Sequence, residues 1–216
     1  MYHSFSSWQL FLACPHAWHA RYVSQTEVKR PDSPALIKGR EMHKFMEETV
    51  KNGTLSENEH KIAPVIYSEL ARIIRENQTV KTEIDIYCNY NGDIIKKDWI
   101  NPAGVVLKID LLAVANTGIT MIDYKTGASK GKEDQLCLYS YPFGGGTTCE
   151  FMYLDQNEID KFYLDSVKVK QTWDNFMQYV DFVEAKRDKA GLFEKRENMG
   201  CRWCCVQGCP MARGLR

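Results

Sequence analysis

Long apolar runs are missing from this sequence: no stretch approaches the roughly 18 residues expected of a membrane-spanning helix, which argues against a membrane protein. An excess of either charge is missing too. Lys and Arg number 28, Asp and Glu number 28, and the formal net charge is +0. Any nucleic-acid contact must therefore come from a local groove and not from the field of the whole molecule. The opening MYHSFSSWQLFLACPHAW has neither the basic n-region nor the small-residue cleavage site of a secretory leader. The expected location is cytoplasmic. No internal repeat, low-complexity tract or clear linker is visible. The glycines of FGGGTT are followed by no lysine, so a flexible turn is expected there and not a phosphate loop.

What is present is a chain of 216 residues with 44% hydrophobic content, enough for one sizeable core. A single domain over residues 1–216 is expected, with a helical segment at 1–78 and a cysteine cluster at 200–210. The eight cysteines are unevenly placed. Cys201, Cys204, Cys205 and Cys209 crowd into CRWCCVQGC, Cys14 stands alone near the start, and Cys88, Cys137 and Cys149 lie in apolar segments. In a reducing compartment such a cluster points to a metal site more often than to disulfides. The three scattered cysteines read as ordinary buried thiols.

Along the chain, SSWQLFLACPHAWHARYV reads as an amphipathic helix interrupted near Pro15, with Trp8, Leu12, Trp18 and Tyr22 as its apolar residues. SPALIKGREMHKFMEETV and HKIAPVIYSELARIIREN read as two more helices, the second with Ile66, Leu70, Ile73 and Ile74 on one side. TVKTEIDIYCNY, GVVLKIDLLAVAN and GITMIDYKTG are β-branched or apolar runs separated by Asn and Gly, and predict three neighbouring strands. A helix is expected in KEDQLCLYSY and strands in TTCEFMYLD and KFYLDSVKVK. QTWDNFMQYVDFVEAKRDKAG reads as a long helix ended by Gly191.

MIDYKTG places Asp123 and Lys125 two apart on a predicted strand, so both project from one face while Tyr124 projects from the other. On the preceding strand, Asp110 interrupts the apolar run VVLKIDLLAV, where an unpaired carboxylate would be costly without a metal or a partner. An antiparallel hairpin around residues 116–118 would bring Asp110 near Asp123. Two hard oxygen ligands suit magnesium or manganese, and Lys125 would orient or deprotonate a water beside the metal.

These residues together resemble the PD-(D/E)XK nucleases, in particular the RecB-like exonuclease branch that includes the CRISPR-associated iron–sulfur exonucleases. The resemblance rests on Asp110, Asp123-Tyr-Lys125-Thr-Gly, and Gln135 with Tyr139 in QLCLY. It implies an α/β fold with a restriction-endonuclease-like core, a central mixed β-sheet flanked by helices, and N- and C-terminal segments joined by a four-cysteine metal site. It also implies that Asp110 and Asp123 bind magnesium or manganese, that the carbonyl of Tyr124 assists, and that Lys125 serves the attacking water. Gln135 and Tyr139 would contact DNA or the site. GREMHKFMEE is similar to the family's N-terminal helical motif, whose histidine, here His43, is an additional metal ligand, and Glu83 would sit at the edge of the same site. Cys14 with Cys201, Cys204 and Cys209 has the arrangement that holds a four-iron four-sulfur cluster in the iron–sulfur members, with Cys205 as the alternative to Cys204. The family's glycine three residues before the first acid is replaced by Leu107, with Gly104 further upstream.

The implied activity is metal-dependent hydrolysis of DNA, on single strands or ends, in recombination, repair, CRISPR adaptation or phage replication. A protein partner in a recombination or CRISPR complex is also implied. Lys130, Lys132 and Arg21 are candidate phosphate contacts. Blander readings compete. An isolated D-x-K is usually a solvated strand face, four thiolates would bind zinc equally well on spacing grounds, and His16 and His19 read as surface residues. The functional rival is a non-catalytic DNA-binding or assembly module stabilised by its cysteine-bound metal.

Overall fold

The computed structural model describes residues 1–28, 31–100, 103–128 and 130–213. The chain divides into two compact units, residues 1–2 with 33–174, and residues 3–32 with 175–216. A two-residue strand, β1 (Tyr2–His3), opens the chain, and α6 (Ser166–Lys186) contributes residues to both units.

The larger unit contains helices α3 (Pro34–Lys51) and α4 (Pro64–Glu76), then β2 (Thr79–Cys88), β3 (Ile94–Ile95), β4 (Gly104–Ala115) and β5 (Gly118–Lys125). Helix α5 (Glu133–Ser140) and strands β6 (Thr148–Tyr153) and β7 (Glu158–Tyr163) follow. The strands run in the order β3-β2-β4-β5-β6-β7. The sheet is mixed, because β5 and β6 pair in parallel across the α5 connection while the other neighbours are antiparallel. The expected hairpin is present, with Ala115 opposite Gly118. Gly118 has φ 149°, open to glycine at the turn.

Periodicity explains which face is buried. The odd-numbered residues of β4 from Val105 to Ala113, namely Val105, Leu107, Ile109, Leu111 and Ala113, are all at most 2% exposed. Leu111, Ala113, Ile122, Tyr124 and Met152 pack with Met46 of α3 and with Ile66, Leu70 and Ile73 of α4. Ile74, expected on that stripe, is 36% exposed. The stripe is set by the 66, 70, 73 spacing, and the next residue rotates about 100° away from it.

The KFYLDSVKVK expectation fails after Tyr163. β7 ends there and α6 begins at Ser166, earlier than expected, and it ends at Lys186, before Gly191. Val167 and Val169 alternate with lysines as a strand would. However, Asp165 accepts the backbone N–H of Val167 at 2.9 Å, and its carbonyl accepts that of Val169 at 3.0 Å, which starts the helix.

The smaller unit holds α1 (Phe5–Ala13) and α2 (Pro15–Tyr22), broken at Cys14 as Pro15 predicts. Trp18 is fully buried and its indole N–H donates to Tyr179 Oη at 2.8 Å. His19, expected on the surface, is buried, and its Nε2 lies 2.9 Å from the carbonyl of Arg187. The two ends of the chain meet in this unit through an antiparallel bridge between Glu27 and Val206.

Candidate active site

Asp110 and Asp123 stand across the β4–β5 seam. The ladder pairs Leu111 with Ile122 and stops there, so the next position along brings the two acids opposite each other. In place of further backbone pairing, Asp110 Oδ2 accepts the N–H of Tyr124 at 2.6 Å. Its other oxygen faces His43 of α3, with Nδ1 to Oδ1 at 3.4 Å, and the same nitrogen lies 3.8 Å from Glu83 Oε1. His43, Glu83 and Asp110 each offer a ligand atom, and all three atoms fall within 4.8 Å of one another.

Glu83 reaches this cluster through an irregular backbone. Its φ is 47°, in the left-handed region that a glutamate rarely adopts. The β2–β4 ladder is interrupted there, with Thr82 opposite Leu111 and Ile84 opposite Ile109 on either side. Such a departure costs about 1–3 kcal/mol and commonly marks a functional position. The run TVKTEIDIYC carries no glycine or asparagine to signal it.

Asp123 is turned toward a second set of partners. It is 5% exposed. Its Oδ1 accepts from Gln135 Nε2 at 2.5 Å, and Lys125 Nζ lies 2.5 Å from its Oδ2. That contact is an ion pair off hydrogen-bond alignment, so Oδ2 is a buried acceptor without a hydrogen-bond donor. Lys125 itself donates to Gln135 Oε1 at 3.0 Å and lies 5.2 Å from the centre of the Phe151 ring. Gln135 Nε2 also donates to Tyr139 Oη at 3.2 Å, as the four-residue helical spacing requires. Phe151, beneath the lysine, was legible only as an apolar strand residue.

Charge follows from burial and crowding. Burial and then the Asp110 carboxylate push Asp123 up to about 6, against the opposing pull of Lys125 and His43. Burial, and then Asp110, also raises Glu83. Burial would lower His43, but hydrogen bonding to Asp110 and the charges of Asp110, Glu83 and Asp123 prevail and raise it. Burial raises the Tyr139 hydroxyl as well. Four acid or imidazole groups therefore converge, with Lys125 beside Asp123 and the charge of Lys108 acting on Glu83. Gly39, one turn before His43, lets α3 approach: a Cβ there would meet Thr126 Oγ1, just beyond Lys125, at 3.0 Å.

Two of the expected phosphate contacts are already paired. Lys130 Nζ binds Glu158 at 2.7 Å, and Arg21 makes a bidentate pair with Glu27.

The cysteines separate into two groups. Cys88, Cys137 and Cys149 are fully buried in the larger unit. In the smaller unit Cys14, Cys201, Cys204 and Cys209 line one cavity of about 230 Å³, together with His16, Arg21 and Lys195 among others. Burial, and then the neighbouring Cys209, Cys14 and Cys201 thiols, raises Cys204. Cys205 is absent from that lining, 3% exposed, with its thiol 3.4 Å from the carbonyl of Trp203.

Comparison with known proteins bears on the fold and the family. A crystal structure of a candidate exonuclease from Eubacterium rectale matches over 100% of this chain and 88% of its own, with TM-score 0.52 and 12% identity, a likeness of fold. The crystal structure of SSO0001 matches 79% of this chain and 82% of its own at 15% identity, with a TM-score of 0.34 that is too low to bear on the fold. No curated protein matches the sequence. Among the described residues no helix is long and apolar enough to cross a membrane. The family model of the PD-(D/E)XK nuclease superfamily matches residues 2–209, nearly the whole sequence, and the chain belongs to that superfamily.

Proposed function

We propose that this protein is a magnesium- or manganese-dependent deoxyribonuclease that hydrolyses phosphodiester bonds of single-stranded DNA or DNA ends as an exonuclease. The observation that carries the reading is the convergence of His43, Glu83 and Asp110 within 4.8 Å, beside a buried Asp123 paired with Lys125. The donor set fits such a cation. Carboxylate oxygens and one imidazole are the ligands that magnesium and manganese accept, and the buried Oδ2 of Asp123, ion-paired to Lys125 but without a hydrogen-bond donor, keeps acceptor capacity toward the site. Asp110, Asp123 and His43 would hold the ion, with Glu83 and the carbonyl of Tyr124 at its edge. When bound it would polarise the scissile phosphate and lower the pKa of water.

The chain's own residues do the rest. Gln135 fixes Asp123 and Lys125 at once, accepting from the lysine and donating to the acid. That leaves the Lys125 ammonium held at the site to orient the attacking water and to stabilise charge on the phosphoryl oxygens in the transition state. Burial of Asp123 keeps competing water from that side.

The cysteines of the smaller unit are proposed to hold a four-iron four-sulfur cluster through Cys14, Cys201, Cys204 and Cys209. Four thiols lining one cavity support a metal group there, and the resemblance to the iron–sulfur branch favours the cluster, with zinc as the alternative. The role is structural, closing the two chain ends together. A recombination, repair, CRISPR-adaptation or phage-replication setting, with a protein partner, follows from the family branch.

The test is degradation of end-labelled linear single-stranded and duplex DNA by anaerobically purified protein with magnesium, manganese or EDTA. Metal-dependent loss of label supports the reading, and the labelled end first released sets the polarity. Folded, iron-loaded protein that binds DNA without cutting it supports the non-catalytic module instead.

A further inference from the structure

The sheet face that bears Asp110 continues past the active site. Asp85 pairs opposite Lys108 and Tyr87 opposite Val106, and the even-numbered residues of β4 put these pairs on the Asp110 side, since the odd-numbered ones are buried. Lys108 and Asp85 form an exposed ion pair at 3.0 Å. Beyond it, in the connection from β3 to β4, the ammonium of Lys97 lies 5.1 Å from the centre of the Tyr87 ring and 3.4 Å from that of Trp99.

Trp99 is 79% exposed and Trp203, in the smaller unit, 68%, whereas Trp8, Trp18 and Trp173 are at most 6% exposed. A large indole held in water against a lysine, next to an exposed Ile100, is an apolar surface open to a ligand. Its location narrows the occupant. It lies at the end of a strand face leading to the carboxylates, and its neighbours Lys96 and Lys97, against the one adjacent acid Asp98, leave positive charge that a phosphate backbone complements.

We propose that Trp99 and Lys97 form a stacking platform for a single strand of nucleic acid running along the β2–β4 face toward Asp110. The proposal rests on the nuclease reading and adds a substrate contact to it. The indole stacks on a base, which every base permits, and Lys97 meets a phosphate, so binding there is independent of sequence. Val106, which pairs with the Tyr87 that carries Lys97, is four positions before Asp110, about 13 Å of strand. The platform therefore holds nucleotides several positions from the bond that is cut.

The experiment is fluorescence anisotropy of a labelled oligothymidylate with wild-type protein, Trp99→Phe, Trp99→Ala and Lys97→Ala, all in EDTA so that no cleavage occurs. Thermal melting checks that each variant is folded. The expected result is a dissociation constant raised about tenfold by Trp99→Ala and largely recovered in Trp99→Phe, since stacking is the interaction removed. Lys97→Ala should flatten the dependence of log Kd on log salt by about 0.7. An unchanged dissociation constant in Trp99→Ala overturns the platform. So does a Trp99→Ala effect confined to self-association in sedimentation, which would make the patch a protein contact. Trp99-dependent binding by a wild-type protein that fails to cut DNA with magnesium or manganese would leave the platform standing and remove the nuclease reading alone.

Discussion

Asp110 Oδ2 accepts the backbone N–H of Tyr124 at 2.6 Å, so the first acid of the site also ties β4 to β5 where their ladder has stopped. The two duties are separable. Asp110→Asn keeps an acceptor for that N–H but loses the negative charge, and is expected to abolish cleavage with little change in thermal stability. Asp110→Ala should also lose about 1–3 kcal/mol, because it strands a partly buried donor. Chemical denaturation of both variants beside a cleavage assay checks the separation, and equal stability of the two would refute the structural duty.

Glu83 is expected to show stability sacrificed for a ligand. Glu83→Gly removes the cost of a φ of 47° in a residue with a side chain. The melting temperature should hold or rise while manganese affinity falls several-fold, as measured by calorimetric titration. A lower melting temperature with unaltered manganese binding contradicts this.

The adjacent cysteines should behave differently. Cys204 lines the cavity with Cys14, Cys201 and Cys209, whereas Cys205 is buried away from it. Anaerobically purified Cys204→Ala is expected to lack iron and acid-labile sulfide, and Cys205→Ala to retain both. The opposite pattern would assign the ligand to Cys205.

Glu150 predicts a pH dependence that has nothing to do with the active site. It is fully buried on β6, and Lys161 Nζ lies 3.3 Å from Oε1 without hydrogen-bond alignment. Burial, and then the nearby Glu69, pushes Glu150 up to about 7. The folded state therefore keeps a proton between about pH 4.5 and 7 that the unfolded chain has released, so stability falls as pH rises through that window. Glu150→Gln should flatten the fall and gain on the order of 1–2 kcal/mol at pH 8. Urea denaturation from pH 5 to 8 reads this directly; a parallel pair of curves for wild type and variant would exclude it.

Much of this was legible in the residues. Asp110, Asp123, Lys125 and Gln135 stood out because charged groups in apolar strands, and a glutamine and tyrosine four apart, are specific when combined. The hairpin followed from the Asn and Gly between β4 and β5. What stayed hidden depends on tertiary context. The left-handed Glu83 has no local signal, because neighbours impose its conformation. A polar side chain in a helix, as at His19, gives no hint that a carbonyl 168 positions away will receive it. Valines alternating with lysines imitate a strand at the start of α6 until Asp165 caps the turn.

The most direct test of the active site is the single-turnover rate of DNA cleavage in magnesium for wild-type protein and Lys125→Ala. Lys125 is held by Gln135 at 3.0 Å and by Asp123, and it is an ammonium placed to act on water and phosphate. The expected result is a loss of at least about a hundredfold, the size commonly lost with one transition-state contact, in a variant that still folds and binds DNA. Cleavage by Lys125→Ala at the wild-type rate would contradict the assignment of this site.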